Sequence, residues 1–293
     1  MTDHSLLDDL RGSGRAVGAF NAILLEHAEA IVAGAEEARL PVILQISQNA
    51  VRYHGSLAPF ATACLSLASS ASVPVVVHLD HAEDETLIDQ AVALGIRSVM
   101  FDAATLPYAE NVARTRDVVR RCHAAGCRVE AELGAIGGKD GAHAPGVRTD
   151  PAEATAFTAA TGVDALAVAV GSVHAMSRRD ASLDNALIER LRAAVAVPLV
   201  LHGSSGVSDE GLREAVRRGI TKVNIGTLLN RVLTSRVRGV LTDDADLSDP
   251  RKYLAPGRDA VRAEVARMLR LLAGEPVPAT PEPHSSPAAP ARP

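Results

Sequence analysis

Cysteine is scarce in this chain of 293 residues: Cys64, Cys122 and Cys127 are odd in number, and none lies in a CxxC pair. That argues against a disulfide framework and a thiolate zinc site, and it fits a reducing compartment. An excess of one charge is lacking too. The chain has 30 Lys and Arg against 35 Asp and Glu, a formal charge of −5, with the signs interspersed and no basic stripe. Neutralising a phosphate backbone needs such a stripe, so no nucleic acid partner is expected. No apolar run approaches the ~18 residues of a membrane span. The opening MTDHSLLDDLRGSG has neither a basic n-region nor an apolar h-region. A cytoplasmic chain with no membrane partner is the expectation.

What is present is an ordinary globular mixture, 47% hydrophobic and 22% charged, enough for a substantial core. Short β-branched runs alternate with longer Ala/Arg/Glu/Leu-rich segments of helical period, the pattern of parallel strands joined by crossover helices. Eight strands are predicted, at Ala16–Phe20, Pro41–Ile46, Val73–Leu79, Ser98–Phe101, Arg128–Leu133, Ala165–Val170, Pro198–Leu201 and Lys222–Ile225. Runs such as VPVVV and ALAVAV suit strands buried on both faces. The fold class expected is therefore α/β, a (β/α)8 TIM barrel with a C-terminal helical extension, over residues 1–273. An open doubly wound sheet is the rival, but no GxGxxG follows the first strand. Asp3–Leu10 is predicted to cross the barrel's bottom as a short helix. Thr227–Val240 and Arg258–Leu272 are predicted helices, separated by the polar stretch TDDADLSDPRKYLAPG. Residues 274–293 read as a disordered Pro/Ala-rich tail.

In such a barrel the C-terminal strand ends face the active site. These ends are unusually polar: the third offers His78, Asp80 and His81, the fourth Asp102, the fifth Glu130 and Glu132, the sixth His174, the seventh His202 and the eighth Asn224. A lone histidine there is usually structural; three on different strands point to a metal. A catalytic zinc needs about three protein ligands and an open position, which His81, His174 and His202 supply. His78, three residues before His81, is expected on the opposite face of the strand, in a supporting role. Asp80 adjoins a ligand yet is expected to point elsewhere, free to handle a substrate proton or merely to orient a histidine. HGSSGVSDEGLREA after the seventh strand and NIGTLLN after the eighth are small-residue turns into helices, whose backbone N–H groups can receive a phosphate. GAIGGKDGAHAPG after Glu132 is either a lid or a surface excursion.

Taken in order, AFN (Ala19–Asn21), LQIS ending at Ser47, HLDH, SVMFDAATLPYAEN, VEAELGAIGG, DALAVAVGSVH, LVLHGSSGV, KVNIGT and DPRKYL resemble the class II, metal-dependent ketose-bisphosphate aldolases, from about Val17 to Leu271. The resemblance implies reversible cleavage of fructose- or tagatose-1,6-bisphosphate to dihydroxyacetone phosphate and an aldehyde such as glyceraldehyde 3-phosphate. It implies Zn2+ or another divalent transition metal on His81, His174 and His202, with Glu132 near it, and Asp80 exchanging a proton with the C4 hydroxyl. Gly203, Ser204, Ser205, Asn224, Gly226 and Thr227 match the pocket of one phosphate, beside which a monovalent cation is common. Asn21 and Ser47 match substrate contacts, and Arg251 matches a basic residue reaching the distal phosphate across a dimer. A homodimer or homotetramer is implied.

Several positions depart from the family pattern. The lid loop reads Gly137, Gly138, Lys139, Asp140, one residue short, which leaves Asp140 as the nearest carboxylate for the C3 proton. Ala104 replaces a usual serine, Ala175 a glycine, and Ile23 and Leu24 frequent asparagines; Gly226 is closer to the small residue of tagatose-type relatives. Schiff-base chemistry would need a lysine on a barrel strand, and Lys139, Lys222 and Lys252 are read as ill placed. Activity on another phosphorylated ketose, or non-catalytic binding of a sugar phosphate, are the alternatives.

Overall fold

The strands follow from the apolar runs. In the computed structural model, which describes residues 3–133, 148–172 and 181–277, they are β1 (Val17–Asn21), β2 (Val42–Ser47), β3 (Val75–Ala82), β4 (Ser98–Phe101), β5 (Arg128–Leu133), β6 (Ala165–Val168), β7 (Leu199–Leu201) and β8 (Ile220–Ile225). Each pairs in parallel with its neighbours, and β8 returns to β1 with Val17 opposite Lys222 and Ala19 opposite Asn224. The sheet is thus closed, and the open doubly wound rival is excluded. Before β1 lies α1 (Asp3–Leu10), after it α2 (Leu25–Ala38), and between β2 and β3 both α3 (Gln48–His54) and α4 (Ala58–Ser70). Then α5 (Glu85–Ala93), α6 (Tyr108–Ala124), α7 (Pro151–Thr161), α8 (Asn185–Ala194) and α9 (Asp209–Arg218) follow β3 to β7, and α10 (Thr227–Asp243) and α11 (Pro250–Leu272) follow β8. Among the described residues, no helix is long and apolar enough to cross a membrane.

Strand alternation sorts the side chains into two cores. Phe20, Leu44, Ile46, Leu79, Phe101, Leu166, Leu201 and Ile225 turn outward into the main cluster beneath the helices. Val17, Ala19, Ile43, Ala165, Ala167 and Val200 turn inward, into a separate cluster that Leu6 and Leu7 of α1 complete. The N-terminal end of the barrel is therefore plugged by α1, as the sequence predicts, and the polar inward positions lie above it. Helix starts are fixed by side-chain caps: Asp84, Asp150, Asp184 and Ser208 each accept a backbone N–H at the first turn of α5, α7, α8 and α9.

Two elements differ from the sequence reading. Residues 250–257 are helix rather than linker, because Asp249 accepts the Arg251 N–H and Pro250 occupies the first turn, where it loses no helical bond. Pro256, part of that polar stretch, is carried inside α11. The second difference is that β3 continues to Ala82 through a register shift between Leu79 and Ala82.

The last helix also closes the outer ring. Along α2 it packs so tightly that a Cβ placed on Gly34 would come within 2.7 Å of the Arg262 carbonyl oxygen and 2.8 Å of Val265 Cβ. Gly34→Ala should destabilise the protein by ~1–3 kcal/mol, the usual cost of overpacking. Helix propensity alone would change stability by about 1 kcal/mol in the other direction. A denaturant midpoint that rises in this variant would show that α2 and α11 can part without penalty.

Candidate active site

The irregularity in β3 builds the site. Neighbouring residues of a regular strand point to opposite faces, which is why Asp80 is expected to point away from His81. The structure corrects that. His81 has φ 49, a left-handed conformation uncommon for a side chain of its size, and with the register shift this breaks the alternation. Both side chains therefore reach one cluster, in which ligand atoms of Asp80, His81 and His202 lie within 4.8 Å of one another. Such strain is kept where the surroundings hold it, commonly at functional sites. His78 likewise shares the inward face with Asp80, two residues on, rather than lying opposite the site. Its Nδ1 meets Ser98 Oγ at 2.7 Å, and burial, aided by the Lys222 charge, pushes its pKa down to about 3.

Three carboxamides hold the Asp80 carboxylate. Asn21 Nδ2 donates to Oδ2 at 2.7 Å, while Gln45 Nε2 and Asn224 Nδ2 donate to Oδ1 at 3.2 and 3.3 Å. Burial alone would raise this carboxyl, but the positive charge of His81, His202 and Lys222 outweighs it and holds the pKa at about 2. Asp80 is a buried, oriented anion at neutral pH. A carboxylate in that state accepts a proton from a reacting hydroxyl.

The histidines are oriented by carboxylates. His81 Nδ1 lies 2.7 Å from Asp102 Oδ2, and the His81 and His202 rings approach edge to face at 4.7 Å. His202 is fully buried, with Nδ1 3.1 Å from Glu132 Oε2 and Nε2 3.1 Å from Glu130 Oε1. Burial opposes the charged imidazole, yet the hydrogen bonds to Glu130 and Glu132 prevail and lift its pKa to about 9. Glu130 is in turn bound by Lys222 Nζ at 2.6 Å. The Lys222 charge, with the His202 hydrogen bond, holds Glu130 well below the usual carboxylate range despite its burial. Lys222 was read as a residue that merely begins a strand. It is instead inside the barrel, 1% exposed, with its amine in an ion pair with Glu130.

A second group, His81, Asp102 and Glu132, also has its ligand atoms within 4.8 Å. This mixed imidazole and carboxylate set has the donor chemistry of zinc and neighbouring divalent transition metals. The residues present fit such an ion. Asp80 is the least suited of them to ligate, because both its oxygens already accept amide hydrogen bonds.

The two Gly/Ser loops meet as expected. Gly203, at φ 67, turns β7 into a short 3-10 turn over Ser204–Gly206, and Ser204 Oγ donates to the Asn224 carbonyl at 2.5 Å, bringing the loop after β7 against the end of β8. Ser205 and Thr227 are half-buried, Thr227 opening α10. Asn224, matched to the phosphate pocket, turns its amide to Asp80, and its buried Oδ1 has no hydrogen-bond partner among the described residues. Gly226 lies under Asn21: a Cβ there would come within 3.3 Å of Asn21 Oδ1, so a larger residue would press on the amide that holds Asp80. Ser47 caps α3, accepting the Ala50 N–H at 3.2 Å. Arg251 is exposed on α11 and folded back on Asp249. His174, Asp140 and the rest of the lid loop lie outside the described residues.

Sequence reasoning missed Gln45, the pairing of Asp102 with His81, and the link from Glu130 to Lys222. Counting by two back from Ser47, Glu132 and Asn224 places Gln45, Glu130 and Lys222 on the inward face. That signal was there to be used.

A closed parallel barrel with carboxylate-oriented histidines and a buried carboxylate at its strand ends defines an α/β-barrel protein with a candidate active site on its inward face. Residues 2–275 match the family model described as fructose-bisphosphate aldolase class-II. The chain is 40% identical over 269 residues to a fructose-bisphosphate aldolase of Geobacillus stearothermophilus, covering 90% of this chain and 93% of that one. It is 37% identical over 264 residues to a fructose-bisphosphate aldolase of Staphylococcus aureus, covering 89% and 92%. The crystal structure of the YdjI aldolase from Escherichia coli K12 superposes with a TM-score of 0.79 at 31% identity, covering 93% of this chain and 96% of that one. The chain belongs to the class II fructose-bisphosphate aldolase family, as its motifs suggested, and it is an enzyme of the lyase class.

Proposed function

We propose that the chain catalyses reversible, metal-dependent aldol cleavage of a ketose 1,6-bisphosphate, fructose- or tagatose-1,6-bisphosphate, to dihydroxyacetone phosphate and glyceraldehyde 3-phosphate. The observation that carries the reading is Asp80: a buried carboxylate, ionised and aimed by Asn21, Gln45 and Asn224, beside a cluster of imidazoles and carboxylates. Zinc or a neighbouring divalent ion on His81, His202 and Glu132, with His174, would supply Lewis acidity toward the ketone. Asp80 takes the C4 hydroxyl proton as the C3–C4 bond breaks, and the electron pair is left at C3. Asp140 is the candidate to return a proton there. The loops after β7 and β8, pinned together through Ser204, suit one phosphate through Gly203, Ser204, Ser205, Gly226 and Thr227, with a monovalent cation alongside.

The relatives' names favour fructose; Gly226, close against Asn21, favours the tagatose type. The exposed Arg251 suits a homodimer or homotetramer in which it reaches a neighbour's substrate. The absence of a spanning helix among the described residues is compatible with a cytoplasmic enzyme.

The test is aldol cleavage of both sugars side by side, with and without chelator, detecting triose phosphate. Cleavage that a chelator abolishes is expected, with the faster sugar naming the substrate. Cleavage that persists without metal would overturn the metal reading. No cleavage of either sugar by metal-loaded protein would leave another phosphorylated ketose, or a binding protein without turnover.

A further inference from the structure

We propose that Lys222 is a positioning residue for the His202 imidazole, acting through Glu130, an inference that rests on the metal reading above. The two oxygens of Glu130 are divided between them: Oε1 meets His202 Nε2 at 3.1 Å and Oε2 meets Lys222 Nζ at 2.6 Å. Lys222 is anchored in turn, 3.4 Å from His78 Nε2, and His78 Nδ1 is held by Ser98 Oγ at 2.7 Å. All five side chains are buried.

Strand register sets the direction of this chain of contacts. Glu130 lies two residues before Glu132 on β5, and Lys222 two before Asn224 on β8, so both sit one layer below the site on the inward face. His202 therefore presents Nδ1 to Glu132, in the layer of the site, and Nε2 downward to Glu130. The geometry assigns Nδ1 as the metal-facing nitrogen and Nε2 as the anchored one. A ring so anchored keeps one tautomer and one rotation, as outer carboxylates do for metal-binding histidines elsewhere. Without Lys222, Glu130 would lose the contact that fixes its plane.

Stability alone does not account for the pair. A buried ion pair is commonly no more stabilising than well-packed apolar side chains of the same volume. Its use here is to fix direction.

The test titrates metal-depleted full-length protein with zinc by calorimetry and with cobalt(II) by visible absorption. Wild type is expected to bind both. Lys222→Met should lower zinc affinity by ~10–100-fold, the usual loss when an outer partner of a ligand is removed, and alter the cobalt bands. Lys222→Arg, which keeps the charge and donors, should restore most of the affinity. Because Lys222→Met leaves Glu130 charged with its Oε2 stripped of the ion-pair partner, the double variant Glu130→Gln/Lys222→Met serves as a neutral pair of similar volume. Its thermal midpoint should recover while its zinc affinity stays low. Either folded variant binding zinc with wild-type affinity and an unchanged cobalt spectrum would overturn the positioning role. A wild-type protein that binds neither ion would instead sink the metal reading, and this proposal with it.

Discussion

Asp80→Ala is expected to lower turnover by ~10²–10⁴-fold, the usual contribution of a positioned general base, while the protein keeps its metal. The separation of the two effects follows from the hydrogen bonds. Both Asp80 oxygens are occupied by the amides of Asn21, Gln45 and Asn224, whereas the imidazoles and Glu132 are directed to one another. Deleting the carboxylate removes the acceptor for the C4 hydroxyl proton and leaves the donor set intact. It also strands the buried amide donors of Gln45 and Asn224 and that of half-buried Asn21, at ~1–3 kcal/mol for each that no water reaches. Turnover should therefore be normalised to folded, metal-loaded protein. Undiminished turnover would remove Asp80 from the mechanism; loss of metal in equal measure would make it a ligand.

Removing His202 should do more. His202→Ala is expected to lose tight metal binding by more than the ~10–100-fold of an outer partner, and activity with it. The metal-free protein should lose stability too. Glu130 and Glu132 both face the imidazole in a fully buried position, and taking away one member of such a set costs ~3–5 kcal/mol. Metal content by elemental analysis and a thermal midpoint in excess chelator separate the two consequences. A full complement of tightly bound metal in this variant would end its role as a ligand.

Much of this was legible in the amino-acid order, and what was not has physical reasons. Apolar runs such as VILQIS and ALAV announce strands covered on both faces, and their polar ends announce the rim. The reversal at His81 is a backbone event: alternation assumes a regular strand, and nothing in HLDH marks a residue at φ 49. Lys222 and Glu130 were visible as polar residues within strands, but their meaning depends on each other across the barrel, and pattern along one strand carries no such information. Asp249 with Pro250 did carry the start of α11, within the stretch read as a polar separator.

The seam of the barrel has a consequence for how the protein comes to be made. β1 has only β2 beside it until β8 arrives, and α2 has no cover until α11 packs over Gly34. Ala16, just before β1, donates its N–H to the carbonyl of Leu272, the last residue of α11, so the entry to the first strand is tied to the end of that helix. During synthesis the first strand must therefore emerge with an open, aggregation-prone edge and wait for almost the whole chain. Closing so distant a contact is slow, and chains halted before α11 should be the ones that chaperones and proteases meet.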